Sequence, residues 1–144
     1  MSTKSDKIKE IIKGERAAVE TYGQVFEKYG ADSQIDKLRY FSKDHKEAVM
    51  ELNNIARQNN IEIPESSGAW GSWSKLVTGT AKMLGEKSAL KALKEGEEHG
   101  LKEYEDLLSS SSVPTQLKTM VQDKFIPMQR KHIQDIDSLM SRVS

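Results

Sequence analysis

The chain has 144 residues, a length that suits one domain able to bury about two-thirds of its unfolded surface, so a single core is expected over 1–144. Lys plus Arg and Asp plus Glu each number 22, and this formal neutrality leaves no basic field for a phosphate backbone, which argues against nucleic acid as a partner. The absence of cysteine removes disulfides, thiolate ligands and thiol catalysis, and no apolar run approaches the roughly 18 residues needed to span a bilayer.

With no apolar signal core behind Met1 to Lys7, the expected compartment is the cytoplasm. Glu, Lys, Ala and Leu are abundant while Pro and Phe number only 3 each, which favours helices over a sandwich or barrel. The first helix is predicted from about Lys7 to Tyr29, because Ile8, Ile11, Ile12, Ala18, Val19, Tyr22, Val25, Phe26 and Tyr29 follow a three-four spacing on one face. Gly30 closes it, and Gly30-Ala31-Asp32-Ser33 supplies a tight turn and an N-cap for a second helix beginning near Ser33. That helix carries Leu38, Phe41, Val49, Leu52, Ile55 and Ala56 and ends at Asn59-Asn60. Pro64, Ser66, Ser67 and Gly68 mark a loop. Trp73, Leu76, Val77, Thr80, Ala81 and Leu84 form a short amphipathic helix limited by Gly79 and Gly85. The third long helix runs from about Glu86 to Leu108 on Ala89, Leu90, Leu93, Leu101, Tyr104, Leu107 and Leu108. After the turn Ser109 to Ser112, Pro114 suits the first turn of a fourth, whose stripe is Leu117, Val121, Phe125, Met128, Ile136, Leu139 and Val143.

Short turns join the first helix to the second and the third to the fourth, so each pair forms an antiparallel hairpin. The connection between the hairpins, about 60–85, is long enough to travel the length of a bundle and start the third helix parallel to the second. The expected fold is therefore all-α: a ferritin-like four-helix bundle of two antiparallel hairpins joined by a long crossover containing a short helix.

Four polar residues sit on the apolar stripes. Glu15 lies between Ile12 and Ala18, one heptad before Tyr22, and Glu97 lies between Leu93 and Leu101, one heptad before Tyr104. His45 follows Phe41 by four and precedes Leu52 by seven, and His132 stands in the same relation to Met128 and Leu139. The chain thus reads as two copies of one hairpin, each offering a Glu and a His to a shared core. A carboxylate on a core stripe must be hydrogen-bonded, paired with a cation or protonated, because an uncompensated buried charge costs several kcal/mol.

Gly14-Glu15 with Tyr22, the Trp-Gly-Ser-Trp linker at 70–73 and Gly96-Glu97 with Tyr104 resemble an uncharacterised bacterial family of ferritin-like four-helix-bundle proteins, a domain of unknown function within the ferritin-like superfamily. Metal-binding members of that superfamily carry Glu-x-x-His on the second and fourth helices, the Glu bridging two metals. Here Ser42 and Gln129 stand three residues before His45 and His132, so both bridging carboxylates are missing. Two readings follow for Glu15, His45, Glu97 and His132. They are ligands for at most one ion of zinc, iron or manganese, or they form a dry polar layer in which each Glu pairs with one His and fixes the register of the bundle. Without the bridges, efficient oxygen chemistry is not expected and the chain reads as a non-enzyme. A weak iron-oxidising or peroxide-handling activity is the lesser alternative, and a metal-free interaction module the other.

Hairpin geometry predicts a mismatch. Glu15 and His45 lie evenly about Gly30, whereas the midpoint of Glu97 and His132 falls near Pro114, past the turn, and a kink at Pro127 would restore the level. Tyr22 and Tyr104 read as core residues with their hydroxyls satisfied at an edge. Glu95, Glu98 and His99 read as surface. Trp70 and Trp73 read as a cap on the core, or alternatively as a grip on a partner or a membrane surface, and the partners the sequence allows are another protein or a second copy of the chain. No phosphate loop or nucleophile elbow is present.

Overall fold

The structure is a computed structural model that describes residues 4–29, 33–65 and 86–142, and all secondary structure among them is helical. Four long helical stretches account for it. α1 is Lys4–Tyr29; α2 (Ser33–Asp36) leads into α3 (Arg39–Gln58); α4 is Glu86–Leu108; and α5 (Thr115–Met120) continues through a π-helical turn, Val121–Phe125, into α6 (Ile126–Met140). The short helix expected near 73–84, with Trp70 and Trp73, lies outside the described residues.

Two helices depart from the sequence expectation. The second is broken at Lys37-Leu38, where Leu38 N–H bonds the Ile35 carbonyl at 2.9 Å and Phe41 N–H bonds the Leu38 carbonyl at 2.9 Å. This tighter coiling turns Ile35, Leu38 and Phe41, three residues apart, all into the core. The fourth contains the π turn, in which Ile126 N–H reaches back five residues to the Val121 carbonyl. Pro127 has no N–H to give the Asp123 carbonyl. The wider turn just ahead of it adds one residue to the fourth helix beside Pro127. Asn59 caps α3, its Nδ2 donating to the Ile55 carbonyl at 2.8 Å, and Asn60 follows with φ 57°, a left-handed conformation asparagine tolerates.

Side-chain pairings give the helix directions. Lys4 meets Asn59, Glu15 meets His45 and Tyr22 packs edge-on to Phe41, so α1 and α3 are antiparallel. Lys94 meets Asp137, Glu97 meets His132 and Glu105 meets Arg130, so α4 and α6 are antiparallel too. Tyr22 reaches Glu97 while Glu15 reaches Tyr104, which sets α1 against α4. It follows that α3 and α4 run in the same sense.

The apolar interior is divided. One cluster, with Ile8, Ile12, Leu52, Ile55, Leu117 and Phe125, fills one half, and another, with Ala18, Val25, Leu38, Leu90, Leu93 and Ile136, fills the other. Glu15, His45, Glu97, Gln129 and His132 are buried with them. Among the described residues no helix is long and apolar enough to cross a membrane.

Candidate functional site

Each long helical stretch contributes one residue to a polar layer: Glu15 from α1, His45 from α3, Glu97 from α4 and His132 from α6. Glu15 is 4% exposed and the other three 0%. His45 stands between the two carboxylates, its Nδ1 2.5 Å from Glu15 Oε2 and its Nε2 2.7 Å from Glu97 Oε1. Carboxylates only accept, so both ring N–H groups of His45 donate and the ring is an imidazolium. Two tyrosines cross between hairpins: Tyr22 donates to Glu97 Oε1 at 2.8 Å and Tyr104 donates to Glu15 Oε1 at 2.6 Å. His132 lies with Nδ1 3.0 Å from Glu97 Oε1 and Nε2 2.8 Å from Asp44 Oδ2.

The two hairpins are therefore not equivalent. Glu97 Oε1 gathers Tyr22, His45 and His132, while Glu97 Oε2, equally buried, has no hydrogen-bond partner. Ring contacts fix both imidazoles: Phe41 stacks on His132 at 3.9 Å and 11°, and Tyr22 on His45 at 5.7 Å and 24°.

Electrostatics follow from this packing. Burial alone would lower the His45 pKa, but the Glu97 and Glu15 carboxylates outweigh it and hold the ring well above its ordinary value. Burial would raise Glu97, yet the charge of His45 and the hydrogen bonds from His132 and His45 bring its carboxyl down to about 2. Burial, then the adjacent carboxylate, raises both tyrosines: Tyr22 through Glu97 and Tyr104 through Glu15.

All four residues singled out in the sequence meet here, but the pairing differs from one Glu to one His: His45 takes both glutamates and His132 takes Glu97 and Asp44. Asp44 escaped sequence reasoning because it lies off the α3 stripe. The one available signal was its place beside His45. The tyrosine hydroxyls are satisfied inside the layer, not at an edge. Ser42 and Gln129 separate: Ser42 is half-buried on a groove shared with Gly23, Phe26 and Arg39, whereas Gln129 is 1% exposed and shares a small pocket with Glu15, His45 and Tyr104. Glu95 and Glu98 are exposed, and His99 is half-buried, 3.7 Å from Glu103. A groove of about 360 Å³ over Asp44, Phe125, Met128 and His132 borders the layer from the α3–α6 side.

His45, Glu97 and His132 each offer one donor atom, all lying within 4.8 Å of one another. Residues 3–110 match the model of a family described as Domain of unknown function (DUF2383). No curated protein and no solved structure matches the chain.

Proposed function

From the premise that the chain belongs to this family, whose description assigns no activity, we propose that it is a ferritin-like four-helix bundle whose interior Glu–His layer is a degenerate di-metal site, holding at most one ion of iron, manganese or zinc. The observation that carries the reading is the convergence of His45, Glu97 and His132, three buried donors within 4.8 Å. Two imidazoles and a carboxylate suit these ions. The donor set also fits by charge and by hydrogen bonding. His45 and His132 each direct a ring nitrogen at Glu97, so a divalent ion that displaces those two inward protons leaves the net charge of the layer unchanged. Glu97 Oε2 is a buried acceptor without a partner, a cost of about 1–3 kcal/mol that a cation would relieve.

The ferritin-like arrangement is supported by the shared sense of α3 and α4, which requires a connection running the length of the bundle. α3, with 20 residues, is about 30 Å long, a distance that about ten extended residues cover. A single ion follows from the missing bridges: with serine at 42 and glutamine at 129, nothing offsets the repulsion of two divalent charges a few Å apart.

A bound ion would supply a Lewis-acid centre. The chain's own groups hold its ligands. Tyr22 orients Glu97, Tyr104 orients Glu15, and Asp44, by taking Nε2 of His132, leaves Nδ1 turned inward. One observation favours the alternative, a metal-free polar layer in a scaffold or interaction module: apart from Glu97 Oε2, every polar side-chain atom of Glu15, His45, Glu97 and His132 already has a protein partner.

Thermal melts of His45→Ala and His132→Ala separate the two. In the metal reading each variant loses the stabilisation that added Zn²⁺ or Mn²⁺ gives the parent protein, because an ion specific to the folded state stabilises by mass action. Equal destabilisation with chelator and with metal would establish the polar layer instead.

A further inference from the structure

Gln129 occupies one of the positions where the superfamily pattern has a carboxylate, and its side chain remains in the interior. It is 1% exposed, lies on the same pocket as Glu15 and His45, and stands three residues before His132 on α6, so the two side chains share a helix face. Its Oε1 is buried and without a hydrogen-bond partner. An amide oxygen in that condition is an acceptor that lacks a donor or a cation.

The opposite side of the amide is fixed by Gly100. A Cβ at that position would fall 2.3 Å from Gln129 Nε2, so a side chain there would push the amide end of Gln129 aside. The absence of a side chain on α4 thus sets how the amide lies, with Nε2 against Gly100 and Oε1 on the far side. Ser42, its counterpart on α3, has no such place, being half-buried on the groove beside Arg39 and Lys43.

We propose that Gln129 is a ligand of the ion, its neutral amide oxygen completing the set begun by His45, Glu97 and His132, and that Gly100 is the positioning residue that lets it do so. This inference rests on the metal reading above and adds to it a donor and a preference: a neutral oxygen lowers the negative charge of the site and favours one divalent ion over two.

Full-length protein stripped with chelator and titrated with Co²⁺ tests it, because the visible absorption of bound Co²⁺ reports the ligand set independently of any activity. Gln129→Leu is expected to weaken Co²⁺ binding at least tenfold and to shift the visible bands, Gln129→Glu to bind at least as tightly as the parent, and Gly100→Ala to weaken binding by displacing the Gln129 amide although no ligand residue is replaced. Gln129→Met, closer in shape, replaces Gln129→Leu if the latter does not fold. Parental affinity and an unchanged spectrum in the folded Gln129→Leu or Gln129→Met protein would overturn this inference alone. Failure of the parent protein to bind Co²⁺, Zn²⁺ or Mn²⁺ would overturn the metal reading itself.

Discussion

Stability of the metal-free protein should peak in mildly acidic solution and fall on both sides. The acid limb comes from Glu97. Its carboxyl lies at about 2 against an ordinary 4.5, and at about 1.4 kcal/mol for each pH unit its ionised form contributes about 3–4 kcal/mol. Because the folded value is lowered, that contribution is complete above pH 4.5 and disappears as pH falls toward 2. His45 has the opposite sign. Its folded value is raised above 6.5, so its contribution is complete below pH 6.5 and declines as pH rises through the folded value. Urea denaturation of chelator-treated protein, repeated from about pH 3 to about pH 9, measures both limbs, and His45→Gln should flatten the alkaline one. A stability that stays level or rises between pH 6.5 and about pH 9 would refute an imidazolium clamped between Glu15 and Glu97.

Tyr22→Phe and Tyr104→Phe each remove a hydroxyl from a buried carboxylate and should cost about 1.5–3 kcal/mol in chemical denaturation, the range for hydrogen bonds to charged groups. Phe41→Ala removes a fully buried ring stacked on His132 and should cost about 3–5 kcal/mol by the same measurement. Met50→Lys, at a position 65% exposed, should shift stability by less than about 0.5 kcal/mol. The double variant Ser42→Glu with Gln129→Glu should raise metal content only if the new carboxylate at position 42 can turn inward from its groove, and a rise to two ions per chain by elemental analysis would support a di-metal ancestry.

Much of this protein was legible in its sequence because burial obeys the helical period. Glu15, His45, Glu97 and His132 occupy stripe positions, and a heptad relation to Tyr22, Leu52, Tyr104 and Leu139 was enough to turn all four inward. The bounds of α4 coincide with the stripe from Glu86 to Leu108. What periodicity hides is any local change of period. Ile35, Leu38 and Phe41 fit a continuous α-helix and a tighter coil equally well, so the break at Lys37-Leu38 left no trace in the pattern. Pro127 signalled a disturbance in the fourth helix, but a missing N–H is compatible with a kink or a π turn, and packing decided for the latter. Asp44 is reached from His132 across the bundle, a contact fixed by how α3 and α6 face each other and not by spacing within either. Ser42 and Gln129 look alike in sequence, each three residues before a histidine. Their surroundings separate them: Gln129 lies in the interior against Gly100, and Ser42 on a groove beside Gly23 and Arg39.

The central claim is that this layer holds a single ion. Its most direct test is the metal content of protein purified without a histidine tag, measured by elemental mass spectrometry before and after equilibration with excess Fe²⁺, Mn²⁺ or Zn²⁺ and removal of unbound metal. The account predicts a plateau at one ion per chain that falls to zero in His132→Ala. A plateau at two ions, or none retained by the parent protein under every condition, would contradict it.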